Sequence, residues 1–300
     1  MRFYREKCLA ALMEQLDDWT PSIQIQKLVF LLTDRQEERV YDFMPYKYGC
    51  YSMQLSQDLR NLTKEGYLLC KEVGNIHEYK VARNDLRLDR YINDVDNEAI
   101  SRIIRRFAGL SKKDLIKYTY QNYPFFAINS VMAKGMLSDE EYSVVVRQRP
   151  HKDERSLMTI GYEGLSLEKY IVVLLKNDVH VLCDVRKNAY SQKFGFSKTQ
   201  LAKACEGVGI RYEHIPNLGI ISEKRKELNT QLDYDLLFDE YEHTTLEDAR
   251  HELNHLFKLL QKEKRIALTC FERDPGQCHR SRIAKKLMSI PQCNYSLENL

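Results

Sequence analysis

Apolar residues in the first eighty positions repeat with a helical period, then with a strand period. Cys8-Leu-Ala-Ala-Leu-Met13, with Leu16, recurs at the three-to-four-residue spacing of a helix. Thr20-Pro21 predicts a cap and first helical residue for a second helix carrying Ile23, Ile25, Leu28, Val29, Leu31 and Leu32. Residues 41–49 read as extended and close on a glycine turn. Ser52 predicts the cap of a third helix with Met53, Leu55, Leu59 and Leu62 apolar, ended by Gly66. Residues 67–73, Gly74-Asn75 and residues 76–82 read as a hairpin. Helix, helix, extended, helix, hairpin is the order of a winged helix. Its third helix would offer Gln54, Gln57, Arg60, Asn61 and Lys64 to base edges and phosphates. A plain protein-docking face, with Asp58 and Glu65 diluting the positive charge, is the competing reading.

From residue 97 to about 142 the pattern stays helical, with Ile100, Ile103, Ile104 and Phe107 in one stripe and Ser111 capping a further helix closed by Pro124. The charged, proline-bearing stretch 144–154 reads as a linker. After it the pattern changes. Short apolar runs at 157–160, 179–185, 210–215 and 265–271 alternate with helical stretches at 168–176, 198–207, 246–262 and 281–288. Such alternation predicts a parallel sheet with helices on both faces, and runs as apolar as VHVLCDV fit strands buried on both sides. The expected organisation is a winged-helix-like α+β domain over 1–92, a helical bridge and linker over 93–150, and a three-layer α/β domain over 151–300.

Ligands of such sheets bind outside the carboxyl ends of the strands, and there the chain concentrates its reactive side chains. The loops leaving those ends carry Tyr162 and Glu163, then Asp184 and Arg186, then His214, and lastly Glu272, Cys278, His279 and Arg280. Arg186 and Arg280 are fixed cations with planar donor forks, suited to phosphate or carboxylate, and the helix starting near Ser281 aims free amides the same way. Tyr162, Asp184, Arg186, His214 and Arg280 are therefore the expected ligand-binding set. The alternative is that the arginines pair internally with Asp184, Glu163 or Glu272. Cys278, before a helix and beside a histidine, is the candidate nucleophile. Glu163 or Glu272 is the candidate general base, and His279 or His214 the candidate proton carrier.

No metal site is expected. Cys270, Cys278, His279 and His214 would make a ligand set, but seven residues separate the cysteines rather than two to four. His251-Glu-Leu-Asn-His255 has zincin spacing, yet Leu246, Leu253, Leu256, Phe257 and Leu260 take the core side of that helix and leave both histidines to solvent.

Composition changes this picture little. The 300 residues are 43% hydrophobic and 30% charged, with a net charge of +3. The first 150 residues hold 23 basic and 21 acidic groups and the rest 23 and 22, so neither half is a polycation and any basic patch is local. No apolar run approaches the roughly 20 residues of a membrane span, and the first residues have no signal-peptide pattern. A cytoplasmic protein without membrane partners is expected, its eight cysteines reduced.

Two resemblances add to this. Ile25-Gln-Lys-Leu-Val-Phe30 and Tyr46-Lys-Tyr-Gly49 followed by a helix resemble the Panacea, or SocA-like, antitoxin domain, with Cys50 where that family usually has proline. Thr159-Ile-Gly-Tyr-Glu-Gly164, Asp184-Val-Arg186, Tyr212-Glu-His-Ile-Pro216 with Leu218-Gly219, and Cys270-Phe-Glu-x-Asp-Pro-x-x-Cys-His-Arg280 resemble the family called domain of unknown function 488, over residues 158–287. Ala189 and Gln192 stand where that family commonly has proline and arginine. This resemblance implies a fold and a site more than a reaction. The expected function is a nucleic-acid-associated protein: DNA or RNA on the first domain, and a phosphate-bearing nucleotide or nucleic acid bound, with or without turnover, on the second. The cofactor is unknown. The alternative is a non-enzymatic ligand-sensing regulator or antitoxin-like partner.

Overall fold

Two units, residues 1–149 and 150–300, divide the chain in the computed structural model, which describes residues 1–83, 87–225 and 228–300. The first begins with α1 (Tyr4–Leu16), β1 (Thr20–Pro21), α2 (Ser22–Thr33), β2 (Met44–Tyr46), β3 (Gly49–Tyr51), α3 (Met53–Lys64), β4 (Leu68–Val73) and β5 (Ile76–Val81). β1, β5 and β4 form an antiparallel sheet in that order, and β2 and β3 a separate hairpin. Ser52 caps α3 as expected, its hydroxyl accepting from the Leu55 amide. Thr20-Pro21 differs from expectation. Its backbone pairs with Tyr79 and Glu78, and the helix starts one residue later.

The middle of α2 is buried all round, polar residues included. Gln26 donates to the Ser52 carbonyl and accepts from the Ser52 amide, both at 2.9 Å. Lys27 donates to the carbonyls of Tyr48 at 2.7 Å and Cys50 at 2.8 Å. Two side chains thus hold the backbone of the following segment, where the secondary structure leaves those groups open.

Four more helices complete the unit: α4 (Asp94–Phe107), α5 (Lys112–Asn122), α6 (Ala133–Met136) and α7 (Asp139–Arg147). The expected bridge is therefore not one. Ile100, Ile103, Phe107 and Leu115 lie in the same core as Leu9, Leu12 and Leu28. An amphipathic stripe needs an apolar partner, and α1 and α2 supply it. The linker also shortens, because Val144 to Arg147 complete α7 and Val145 is buried.

The second unit runs β6 (Ser156–Gly161), α8 (Leu167–Lys176), β7 (Val181–Asp184), α9 (Lys198–Glu206), β8 (Arg211–His214), α10 (Gln231–His243), α11 (Thr245–Asp248), α12 (Arg250–Glu263), β9 (Arg265–Cys270), α13 (Arg280–Met288) and β10 (Ser296–Asn299). Its five strands are all parallel, in the order β10-β6-β9-β7-β8. One face carries Leu157, Cys183, Ile266 and Leu268 against α10 to α13. On the other, the Tyr170 hydroxyl of α8 bonds Thr269 of β9 at 2.7 Å. Helices thus cover both faces, the three-layer class expected. The expected helix over 246–262 breaks at Ala249 into α11 and α12, while α10 and β10 were not anticipated.

Burial lowers the pKa of Lys27, opposed by its partner Cys50. A lysine whose folded pKa lies below its unfolded value opposes folding while charged. Its share of stability therefore rises as pH climbs from the depressed value toward the ordinary lysine range. Lys27→Met should flatten that alkaline rise in urea-melt stability. It should also cost about 1–3 kcal/mol at neutral pH by stranding two carbonyls.

Candidate functional site

Register brings the strand ends together. Gly161 pairs with Cys270, Asp184 with Thr269, and Asp184 with His214, so four strands finish within one residue of each other. The loops that follow are joined by specific bonds. The Tyr162 and Glu163 amides donate to the carbonyls of Cys270 and Phe271. A Glu163 carboxylate oxygen accepts from the Arg273 amide at 3.0 Å. Gly161 has no room for a β-carbon, which would sit 1.8 Å from the Glu272 carbonyl oxygen. At Gly219 it would lie 2.0 Å from the Lys187 amide nitrogen. Both glycines are where backbones of neighbouring loops touch.

Arg186 sits at the centre of this edge. Its Nε and one terminal nitrogen fork onto Asp184 at 2.8 and 2.5 Å. The other terminal nitrogen donates to the Tyr162 hydroxyl at 2.8 Å and the Phe196 carbonyl at 2.9 Å. The side chains of Arg186 and Asp184 are 6% and 0% exposed. Burial works against the charge of Arg186, but the hydrogen bonds and attraction of Asp184 outweigh it and raise its pKa. The Tyr212 hydroxyl donates at 2.6 Å to Asp184 Oδ2, the oxygen that also accepts from the Arg186 terminal nitrogen. Burial, with Asp184 beside it, raises the pKa of that hydroxyl. His214 Nε2 meets the Arg186 carbonyl at 2.9 Å, and since a carbonyl only accepts, Nε2 is the donor. Tyr162 stacks on Phe196 with ring centres 4.3 Å apart, and Phe271 meets Tyr162 edge-on.

The structure therefore gathers Tyr162, Asp184, Arg186 and His214 into one network. The internal pairing weighed against an anion site is what Arg186 adopts. Arg280, 1% exposed, donates to the carbonyls of Glu272 and Arg273 and to the Thr159 hydroxyl. Both guanidiniums thus hold neighbouring loops through hydrogen bonds to the protein.

Cys278 is wholly buried, and burial, with Cys270 and Glu272 beside it, pushes its thiol well above the ordinary value. The start of α13 favours a thiolate, but desolvation is larger here. His279 is also buried, its Nε2 3.0 Å from the Val185 carbonyl and its Nδ1 3.7 Å from Cys270 Sγ. Glu272 Oε2 lies 3.2 Å from the same sulfur, and Glu163 is exposed. His251 and His255 face solvent, as their spacing implied. Sequence reasoning passed over Lys187, Lys193 and Arg273. Each stands in one of the converging loops, and their position after a strand end was the available signal. Lys187 and Arg273 are exposed, while Lys193 donates to the Tyr162 carbonyl at 2.8 Å.

In the first unit the polar face of α3 is laced along the helix. Gln54 donates to Asp58, Gln57 to Asn61, and Arg60 to Gln57. Arg60 and Lys64 are exposed, the amides half-buried.

Residues 166–287 match the family model described as "Domain of unknown function DUF488". The match opens after β6, so the expected motif at Thr159 to Gly164 lies just upstream of it. No curated protein matches the chain.

Asp184→Asn should destabilise the full chain by about 3–5 kcal/mol in urea denaturation, because Arg186 is left buried without its counter-charge. Tyr212→Phe, which removes one hydrogen bond, should cost about 1 kcal/mol. In native alkylation followed by peptide mass spectrometry, Cys70, which is exposed, should react and Cys278 should not.

Proposed function

We propose that the carboxyl-edge rim of the C-terminal unit, which matches the model of a family of unknown function over residues 166–287, binds a phosphate-bearing ligand. The first unit, a winged-helix-like module, presents α3 to DNA or RNA. The observation that carries the rim's part is the convergence of four loops, two of which bring three cations between them: Lys187 and Lys193 in the loop after β7, Lys193 lying against Tyr162 beyond β6, and Arg273 after β9. Arg186 and Arg280 shape the rim without contacting the ligand. Ammonium and guanidinium groups on a rigid frame recognise phosphate without large ordering costs. For the first unit, the support is the order α1-β1-α2-α3-β4-β5 with β1 closing the sheet against β5. Exposed Arg60 and Lys64 on α3 add to it.

Burial of Cys278 and His279 favours a second reading, a regulator that binds ligand without turning it over. Its resemblance to an antitoxin-like module in the first unit fits that role. The two readings part on turnover: a product peak in chromatography after incubation with nucleotides supports an enzyme.

Calorimetric titration of the full chain with inorganic phosphate, nucleotides and a short single-stranded oligonucleotide tests the rim. Lys187→Ala and Arg273→Ala should each weaken the phosphate ligand about tenfold or more, the size of a lost charge-assisted hydrogen bond. Unchanged affinity in the double variant removes the rim from the reading. In gel-shift titrations, Arg60→Ala and Lys64→Ala should each lower the salt slope by about one, and an unaltered slope argues for a protein partner at α3.

A further inference from the structure

Below the rim, the end of β9 and the start of α13 enclose a cluster with a different chemistry. Cys270 Sγ, Cys278 Sγ and a His279 ring nitrogen all lie within 4.8 Å of one another, and all three residues are buried. Glu272 brings a carboxylate oxygen to 3.2 Å from Cys270 Sγ. We infer that these four side chains hold a divalent transition-metal ion of the zinc class, independently of what the rim binds.

Three observations point this way. First, the histidine is preset. Nε2 faces the Val185 carbonyl at 3.0 Å and so carries the proton of a neutral ring, which leaves the Nδ1 lone pair toward Cys270. A ligating histidine held by its other nitrogen on a backbone carbonyl is the usual outer-shell arrangement. Second, the spacing fits. Tetrahedral zinc, with bonds of about 2.3 Å to sulfur and 2.0 Å to nitrogen, sets sulfur and nitrogen about 3.5 Å apart, and Cys270 Sγ to His279 Nδ1 is 3.7 Å. Third, the charges close. Two thiolates and one carboxylate exceed the ion's charge by one negative, and the buried Arg280 guanidinium, bonded to the Glu272 carbonyl, supplies one positive.

Adjacent residues seldom share an ion, but the backbone turns between these two. Cys278 is extended (φ −135°, ψ 131°) and His279 helical (φ −61°, ψ −22°), which lets both side chains reach one centre. Glu272 is half-buried, the most exposed of the four side chains. On binding, each thiol gives its proton to the buffer, while Nδ1 and the carboxylate bind through lone pairs they already hold. The thiolate and imidazole donors select zinc over calcium or magnesium.

The test is elemental analysis of the full chain purified from zinc-supplemented cells without chelator, paired with cobalt(II) titration of chelator-stripped wild type. About one zinc per chain, and a cobalt spectrum with sulfur-to-metal charge transfer and tetrahedral visible bands, are the expected results. Cys278→Ser and His279→Gln should abolish both, whereas Cys293→Ser should leave them intact. Should the variants fail to fold, the wild-type cobalt spectrum decides alone. Metal-free wild type that takes up no cobalt overturns the inference, as does a metal-free chain carrying a Cys270–Cys278 disulfide by mass spectrometry.

Discussion

A single buried ion pair, Asp184 with Arg186, governs the architecture of the C-terminal unit's functional edge. The two residues are separated by one position, so the contact is nearly local, but each spends its remaining capacity at long range. Asp184 accepts from Tyr212 on β8, and Arg186 donates to Tyr162 beyond β6 and to Phe196 at the foot of α9. Removing two charges from water costs several kcal/mol per ion, which only good geometry and full hydrogen bonding offset. The fork, the stacked Tyr162–Phe196 rings and the His214 contact together meet that condition. The loops of this edge are therefore tied to one another through that pair.

Much of this was legible in the sequence, for a physical reason. Strands buried on both faces must be apolar throughout, so β6, β7 and β9 announce themselves, and parallel pairing then fixes which loops share an edge. The elements that went unread lack that constraint. β10, Ser-Leu-Glu-Asn, is a short edge strand with mostly exposed side chains. Along α10, Leu232 and Leu236 are exposed while Leu237, Phe238 and Tyr241 are buried, so its apolar residues make no single stripe. The bridge was misread because an amphipathic stripe states that a partner exists without saying which.

Side-chain roles were less legible than positions. Arg186, Arg280 and Cys278 all occur where expected, in loops at the right edge. Whether a guanidinium faces a ligand or a carboxylate depends on how deeply it is packed, and the residues that bury it come from distant segments. For Cys278 the local signal, a helix start beside a cation, and the tertiary one, complete burial, pull the thiol in opposite directions, and burial is the larger effect. Lys187 and Arg273 look ordinary in sequence and gain meaning only from the convergence of their loops.

The strand at the sheet's margin carries a practical consequence. β10 runs parallel to β6, and the Leu300 amide bonds the Thr159 carbonyl at 2.8 Å. Polypeptide joined after Leu300, such as an affinity handle or a fluorescent fusion, would emerge from the same margin of the sheet as the Tyr162 loop. It would crowd that surface and add its own charges beside it.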